Sequence, residues 1–380
     1  VETIEIEQNK EGNNNIIDDK RIRDSNNNNN MAISQHEIFD VAIIGGGFAG
    51  LSAALLLGRY LRPTIIFDTG IHRKSNIHGY LGFEKLSSEE VIQKAWKDVL
   101  QYKSVNVIKE KVTVIERDYN NNLFLINTEG DNKKEKEGNT SNQESIDRGN
   151  IKAKARYVII ATGVEHTKPK IKNFEEYDGN GVWHCPHCDG FETTDKKLVI
   201  IAYGNKYNEA LDYAKVFLGW TKDIKLFLQR EVDNYNNELD YQLTDKERNE
   251  AKTFSIDLIE NDEIIEIVGD STRNAIKGVI CKSNKFYEVE VIFYHLKQTV
   301  RNKLAYQLGC ELDEDYIKVN EDQETTIKDI YAAGDADTDK HFAILASASG
   351  ALAAISIYEK LLKSGIKSIK INKDQTNQIK

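Results

Sequence analysis

A run of glycines, Gly45-Gly46-Gly47-Phe48-Ala49-Gly50, constrains this chain more than any other feature. It gives G-x-G-x-x-G at Gly45, Gly47 and Gly50, between the apolar run Asp40-Val41-Ala42-Ile43-Ile44 and a helical stretch, Leu51–Tyr60. A short apolar run of this kind reads as a strand buried on both faces of a parallel sheet. Pro63 breaks the chain, and Thr64-Ile65-Ile66-Phe67 reads as the next strand, completing a βαβ unit. In such a unit the first glycine permits the tight turn. The second lets a pyrophosphate approach the backbone, and the third lets the helix pack on the strand. The helix N-terminus offers free N–H groups and a partial positive charge to the phosphates. Asp68 ends the second strand, placed to accept from ribose hydroxyls. A dinucleotide is therefore expected here.

The rest of the chain extends the α/β pattern. Ser87–Gln101 reads as a helix with Ser87 and Glu90 spaced as a capping box. Val112–Glu116 and Leu123–Asn127 alternate like an antiparallel ribbon, and 128–150 reads as a solvated excursion. Tyr157-Val158-Ile159-Ile160 is another buried strand, ending in Ala161-Thr162-Gly163. Strands at 198–201 and 224–228 flank a helix at 208–217, and 253–294 reads as short strands with turns. Near the C-terminus, Ala333-Gly334-Asp335 ends a strand and precedes an alanine-rich helix, 342–362. The expected division is a disordered tail at 1–36, a first domain at 37–167 and 295–366, a second domain inserted at 168–294, and a tail at 367–380. The only methionine is Met31, where the natural product is expected to begin.

Composition excludes several classes. Lys+Arg total 51 against 61 Asp+Glu, a formal charge of −10, which argues against nucleic-acid binding. No apolar run approaches the ~18 residues of a membrane span. Four cysteines are too few for a disulfide scaffold, so a reducing cytoplasm is the expected compartment.

Two of those cysteines carry chemistry. Trp183-His184-Cys185-Pro186-His187-Cys188-Asp189-Gly190 contains C-x-x-C, a spacing that lets two sulfurs form a disulfide. Nearby histidines favour the reactive thiolate, and Asp189 is a candidate proton carrier. Structural zinc would need a second ligand pair, whereas Cys281 and Cys310 stand alone, so no metal is expected.

The glycine fingerprint, Ala161-Thr162-Gly163, Cys185-x-x-Cys188-Asp189-Gly190 and late Gly334-Asp335, in that order, resemble the low-molecular-weight thioredoxin reductase family from Phe39 to Leu362. The resemblance implies two Rossmann-like domains, the FAD domain discontinuous and the second domain inserted. It also implies a homodimer. FAD would lie against Gly45, Gly47, Phe48, Ala49, Gly50, Asp68, Ala161, Thr162, Gly163 and Gly334. Asp335 would bind the ribitol, and the backbone at His341, Phe342 and Ala343 would face the isoalloxazine. The loop containing His78 and Gly79 would lie near the flavin. Cys188 would exchange electrons with the flavin, Cys185 would attack a thioredoxin-like disulfide, and Asp189 would act as acid/base.

The second domain departs from the family pattern. Where the NADPH fingerprint belongs stands Ala202-Tyr203-Gly204-Asn205-Lys206-Tyr207, in which only Gly204 survives. In place of a basic clamp stands Gln229-Arg230-Glu231-Val232-Asp233. Poor use of NADPH is therefore expected. Three readings stay open: a thioredoxin reductase-like enzyme with another donor such as ferredoxin, a flavin-dependent oxidase of small dithiols using O2, and a non-catalytic flavoprotein redox sensor.

Overall fold

Two sheets organise the chain, one mixed and one parallel, and the strand order shows how one interrupts the other. The computed structural model describes residues 22–23, 37–72, 75–129, 151–203, 207–229, 243–270, 275–296 and 298–377. The first sheet contains β1 (Ile22–Arg23), β2 (Ile38–Ile44), β3 (Thr64–Phe67), β4 (Val105–Ile108), β5 (Val112–Asp118), β6 (Leu123–Thr128) and β7 (Ala153–Ile160). Its order is β1-β4-β3-β2-β7-β6-β5, and the late strand Ile330–Ala332 returns to pair parallel with β7. Helices α1 (Phe48–Arg59) and α2 (Ser88–Leu100) connect β2 to β3 and β3 to β4. The α2 start is the expected capping box: the Ser87 hydroxyl accepts from the Glu90 N–H, and the Glu90 carboxylate accepts from the Ser87 N–H. Val41, Ala42 and Ile43 of β2 are fully buried, divided between the apolar clusters on the two faces of the sheet.

The second sheet has five parallel strands, in the order Ile256–Ile259, Ile224–Gln229, Leu198–Tyr203, Val291–His295 and Val182–Trp183. An antiparallel three-stranded sheet, Ile264–Asp270, Ala275–Cys281 and Phe286–Glu288, accompanies it. Val164–His166 and Gln298–Val300 pair antiparallel, so the chain leaves the first sheet and returns to it along one ribbon. The cysteine motif follows the outermost strand of the second sheet, close to that ribbon.

Three expectations are corrected. Ile22 and Arg23, inside the segment expected to be disordered, extend the first sheet beside Val107 and Ile108, where β4 has a free edge. The last helix runs Ala343–Asn377, past its expected end and into the expected tail. No proline interrupts it, and interior Gly365 costs only about 1 kcal/mol of helix propensity. Within it, Ala343–Gly365 is long and apolar enough to cross a membrane, contrary to the reading of the sequence. This segment has an inner face instead: Ala353, Ala354 and Ile357 are completely buried in the first domain, against the cluster that contains α1. The expected start at Met31, the excursion at 130–150, and Gly204 and Arg230 lie outside the described residues.

Candidate active site

The glycine turn has a distinct reason at each position. Gly45 has φ +113°, and a Cβ there would lie 2.2 Å from the Ala161 carbonyl oxygen. A Cβ on Gly50 would lie 1.9 Å from the Gly45 carbonyl oxygen. Both must be glycine for the strands and helix to meet. At Gly47 a Cβ would meet nothing within 4 Å, so the absent side chain leaves space rather than closing a contact. Gly47 is the α1 N-cap and has no side-chain cap, leaving the first turn's N–H groups available.

Asp68 lies beside this turn, 8% exposed. Its carboxylate accepts from the Gly46 N–H at 3.1 Å and the Gly70 N–H at 3.2 Å, and His72 Nε2 lies 3.3 Å away. Burial raises the carboxyl's pKa, but the His72 contact and the two backbone donors outweigh it, and the group sits below its ordinary range. Gly46 was not singled out in the sequence, yet a Cβ there would strike Trp96 at 2.6 Å and Asp68 at 2.7 Å. The only sign of this was the unbroken glycine run.

Ala161, Thr162 and Gly163 close the other side. The Ala161 N–H donates to Ile44 O at 2.9 Å, Thr162 Oγ1 donates to Arg301 O at 2.7 Å, and Gly163 has φ +66°. Gly334, at φ +75°, brings its chain segment onto α1: a Cβ there would lie 2.9 Å from Ala49 Cβ. Ser349 Oγ accepts from the Gly334 N–H at 2.8 Å. The predicted residues Gly45, Gly50, Ala161, Gly334 and Ala49 therefore meet in one place, and Asp335 follows at its rim. An open glycine, uncapped helical N–H groups and an ionised carboxylate together fit a dinucleotide of the FAD type. Asp337 was missed. Burial pushes its carboxyl up to about 7, while Gln323 Nε2 donates to Oδ2 at 2.6 Å.

Cys185 and Cys188 are joined as a disulfide, with Cα atoms 5.3 Å apart. Cys185 caps the short helix Pro186–Asp189, Pro186 takes its first position, and the Cys188 N–H donates to Cys185 Sγ at 3.2 Å. Both sulfur-bearing residues are half-buried, His187 is exposed, and Asp189 is 2% exposed. Cys281 and Cys310 are buried free thiols. Burial pushes the Cys281 thiol up to about 12.

Histidines connect this motif to the first domain. His184, next to Cys185, packs its ring 4.3 Å from His166 of the connecting ribbon, and His166 lies 6.2 Å from His341 at the start of the C-terminal helix. Tyr294 OH contacts His184 Nδ1 at 3.4 Å, and Tyr213 OH donates to His184 O at 2.8 Å. Burial, with Tyr294 and Asp189 adding to it, pushes the Tyr213 phenol well above its ordinary value. The cysteine segment and the predicted flavin-facing His341-Phe342-Ala343 thus flank one histidine that sequence spacing did not single out.

His78 has carboxylate neighbours both in its own loop and on the cysteine segment. Its Nδ1 is 2.7 Å from Glu84 Oε1, and its Nε2 is 3.9 Å from both Asp189 Oδ1 and Glu192 Oε1. The Gly79 N–H donates to Glu84 Oε2 at 2.9 Å. The His78 bond, then that of Gly79, holds the Glu84 carboxyl below its ordinary range. The loop thus meets the inserted segment at Asp189 and Glu192, beside the cysteines.

In the second domain's crevice, Ala202 is fully buried. Tyr203 OH accepts from Gln229 Nε2 at 3.2 Å, and Gln229 Oε1 accepts from the Ile264 N–H at 2.9 Å. The side chain at the end of the second strand is thereby engaged by protein.

Comparison with known proteins agrees with this geometry. A family model described as pyridine nucleotide-disulphide oxidoreductase matches residues 39–354. A thioredoxin reductase of Listeria monocytogenes is 26% identical over 310 residues, spanning 80% of this chain and 87% of the relative. One from Bacillus subtilis is 25% identical over 353 residues, spanning 89% and 100%. A solved thioredoxin reductase structure from Bacillus anthracis is similar at TM-score 0.69 and 28% identity, covering 86% of this chain and 99% of that one. The solved structure of HlmI shares the fold at TM-score 0.74 and 22% identity, covering 91% and 99%.

Proposed function

The chain belongs to the pyridine nucleotide-disulphide oxidoreductase family, and from that premise we propose that it moves electron pairs between FAD and the Cys185/Cys188 pair, and between that pair and an external thiol or disulfide. The observation that carries this reading is the disulfide itself, in a segment that packs through His184 and His166 towards His341 at the start of the C-terminal helix. FAD, when bound, supplies a second two-electron redox centre that can exchange an electron pair with the cysteines. Gly45–Gly50 and Asp68 would hold its pyrophosphate and ribose, and Asp335 would hold its ribitol.

The cysteines do the exchange. An external thiolate bonds to Cys185 Sγ, the Cys185–Cys188 bond breaks, and its electron pair leaves on Cys188 Sγ. Asp189 holds the proton that this sulfur takes up. A second external thiolate then attacks the sulfur bonded to Cys185 and releases it. The net result is one external dithiol oxidised and the pair reduced to two thiols; run backwards, the same steps reduce a disulfide. The partner is a thioredoxin-like protein or a small dithiol. A homodimer fits the apolar residues Leu345, Leu352, Ile355 and Leu362, exposed at helical spacing on the last helix. A reducing cytoplasm fits the two buried free thiols.

A second reading, a dithiol oxidase passing electrons to O2, is favoured by the crevice of the inserted domain. There Gln229 is committed to Tyr203 and Ile264 and offers no charge to a nicotinamide dinucleotide. The test is anaerobic flavin reduction. Dithiothreitol should bleach the flavin efficiently, and NADPH and NADH poorly. Cys188→Ser should abolish the long-wavelength thiolate–flavin band of the reduced pair, whereas Cys185→Ser should keep it and lose turnover. Full turnover in both variants rejects the proposal, and rapid bleaching by micromolar NADPH rejects the second reading. Fast reoxidation of the dithiol-reduced enzyme in air, with turnover, supports the oxidase.

A further inference from the structure

Asp189, the proton carrier of the cysteine pair, has a side chain only 3% exposed. Whichever way electrons run, reducing the disulfide to two thiols takes up two protons, and reoxidising it gives them back. A sealed carboxylate can relay such protons only if something connects it to water. His78 Nε2 lies 3.9 Å from Asp189 Oδ1, and the other ring nitrogen lies 2.7 Å from Glu84 Oε1. Side-chain exposure rises along this row, from 3% at Asp189 to 11% at His78 and 53% at Glu84. Among the described residues, Glu192, 24% exposed, also faces the ring, 3.9 Å from Nε2.

We propose that His78 and Glu84 form the proton path between Asp189 and solvent, with His78 acting on the cysteine pair through Asp189. This rests on the thiol–disulfide reading above. The Glu84 carboxylate fixes Nδ1 as the donor, so in the neutral ring Nε2 is the acceptor that faces Asp189. A proton passed from Asp189 to Nε2 is balanced by release of the Nδ1 proton to Glu84, and from there to water. The starting tautomer returns in the opposite half-reaction, when a proton moves inward from Glu84 to Nδ1 and the Nε2 proton passes to Asp189. The separation of 3.9 Å is closed by a small side-chain rotation or one bridging water. Gly79 supports the arrangement by donating its N–H to the second Glu84 oxygen, so the acceptor is held on both oxygens. The path crosses between domains: His78 and Glu84 belong to the first, and Asp189 to the inserted segment. Proton transfer is therefore available only while the two are apposed.

The test uses the full-length, FAD-loaded protein and anaerobic dithiothreitol, with flavin bleaching followed from about pH 5.5 to 9. His78→Ala and Glu84→Gln are compared with wild type. His78→Ala should slow bleaching about 10- to 100-fold, change the shape of the pH profile, and recover part of the rate with added imidazole. Glu84→Gln should show a smaller loss, with a displaced profile. FAD content, the oxidised spectrum and the melting temperature should match wild type in both. Unchanged rate and pH profile in His78→Ala would overturn the proposal. So would loss of FAD from that variant, which would make His78 a cofactor contact. A slow variant with a wild-type profile and no imidazole rescue would reduce His78 to a packing role and also overturn it. If wild-type flavin fails to bleach with dithiothreitol at any pH, the thiol–disulfide reading itself falls, which this comparison separates from failure of the path alone.

Discussion

Replacing Gly350 by alanine on the C-terminal helix should damage the cofactor site without touching it. A Cβ at Gly350 would lie 2.0 Å from the Ala49 carbonyl oxygen and 2.6 Å from its carbonyl carbon. Normal non-bonded contact is about 3.5 Å, so the two helices must separate by on the order of 1.5 Å. Backbone cannot rotate away as a side chain can. Alanine gains up to about 1 kcal/mol of helix propensity over glycine, while overpacking a tight contact costs about 1–3 kcal/mol or more. The expected balance is a net loss of about 1–2 kcal/mol. Gly365, on the same helix, has nothing within 4 Å of its Cβ position, so Gly365→Ala gains propensity alone and should be neutral or stabilising. Ala49 lies in the first turn of α1, two residues after the open Gly47, so the displacement also moves the N–H groups proposed to hold the pyrophosphate. Urea denaturation should therefore rank Gly365→Ala above wild type and Gly350→Ala below it. Titration with FAD should show weakened binding in Gly350→Ala only. Equal stability and FAD affinity in the two variants would refute the argument that backbone approach requires this glycine.

Two further outcomes follow from named groups. Gly47→Val introduces a side chain into open space at φ −79°, so the protein should fold, with an unchanged far-UV spectrum, and remain colourless after incubation with FAD. Yellow protein with full flavin content would contradict the assigned role. Asp337 holds its proton to about pH 7 in the fold but releases it near 3.8 when unfolded. Its contribution to stability is complete below about pH 4 and is lost as the pH rises to about 7. Asp337→Asn should be more stable than wild type at pH 8, by at most about 4 kcal/mol at 1.36 kcal/mol per pH unit, with the gap shrinking towards pH 4. Denaturation at the two pH values checks it, and a constant difference would refute it.

What the sequence determined was local. The glycine run, the strand before it and Asp68 after the next strand define a nucleotide turn, because tight turns, phosphate approach and strand burial are set by neighbours along the chain. The C-x-x-C spacing similarly places two sulfurs within bonding reach. The Ser87–Glu90 capping box was legible for the same reason. The tertiary structure decided which distant residues share a space. Gly350 reads as one more small residue in an alanine-rich helix until α1 is laid across it. His166 carries no signal in the sequence until His184 and His341 arrive from either side. His78 carries no spacing that ties it to the cysteine segment, and only the fold brings it within 3.9 Å of Asp189 and Glu192. Gln229 reads as a weak substitute for a cofactor clamp, and only the fold shows its amide bonded to Ile264. Spacing along a chain fixes a turn or a cap, but contacts between elements depend on how sheets stack and helices cross, where a shift of an ångström decides which atoms meet.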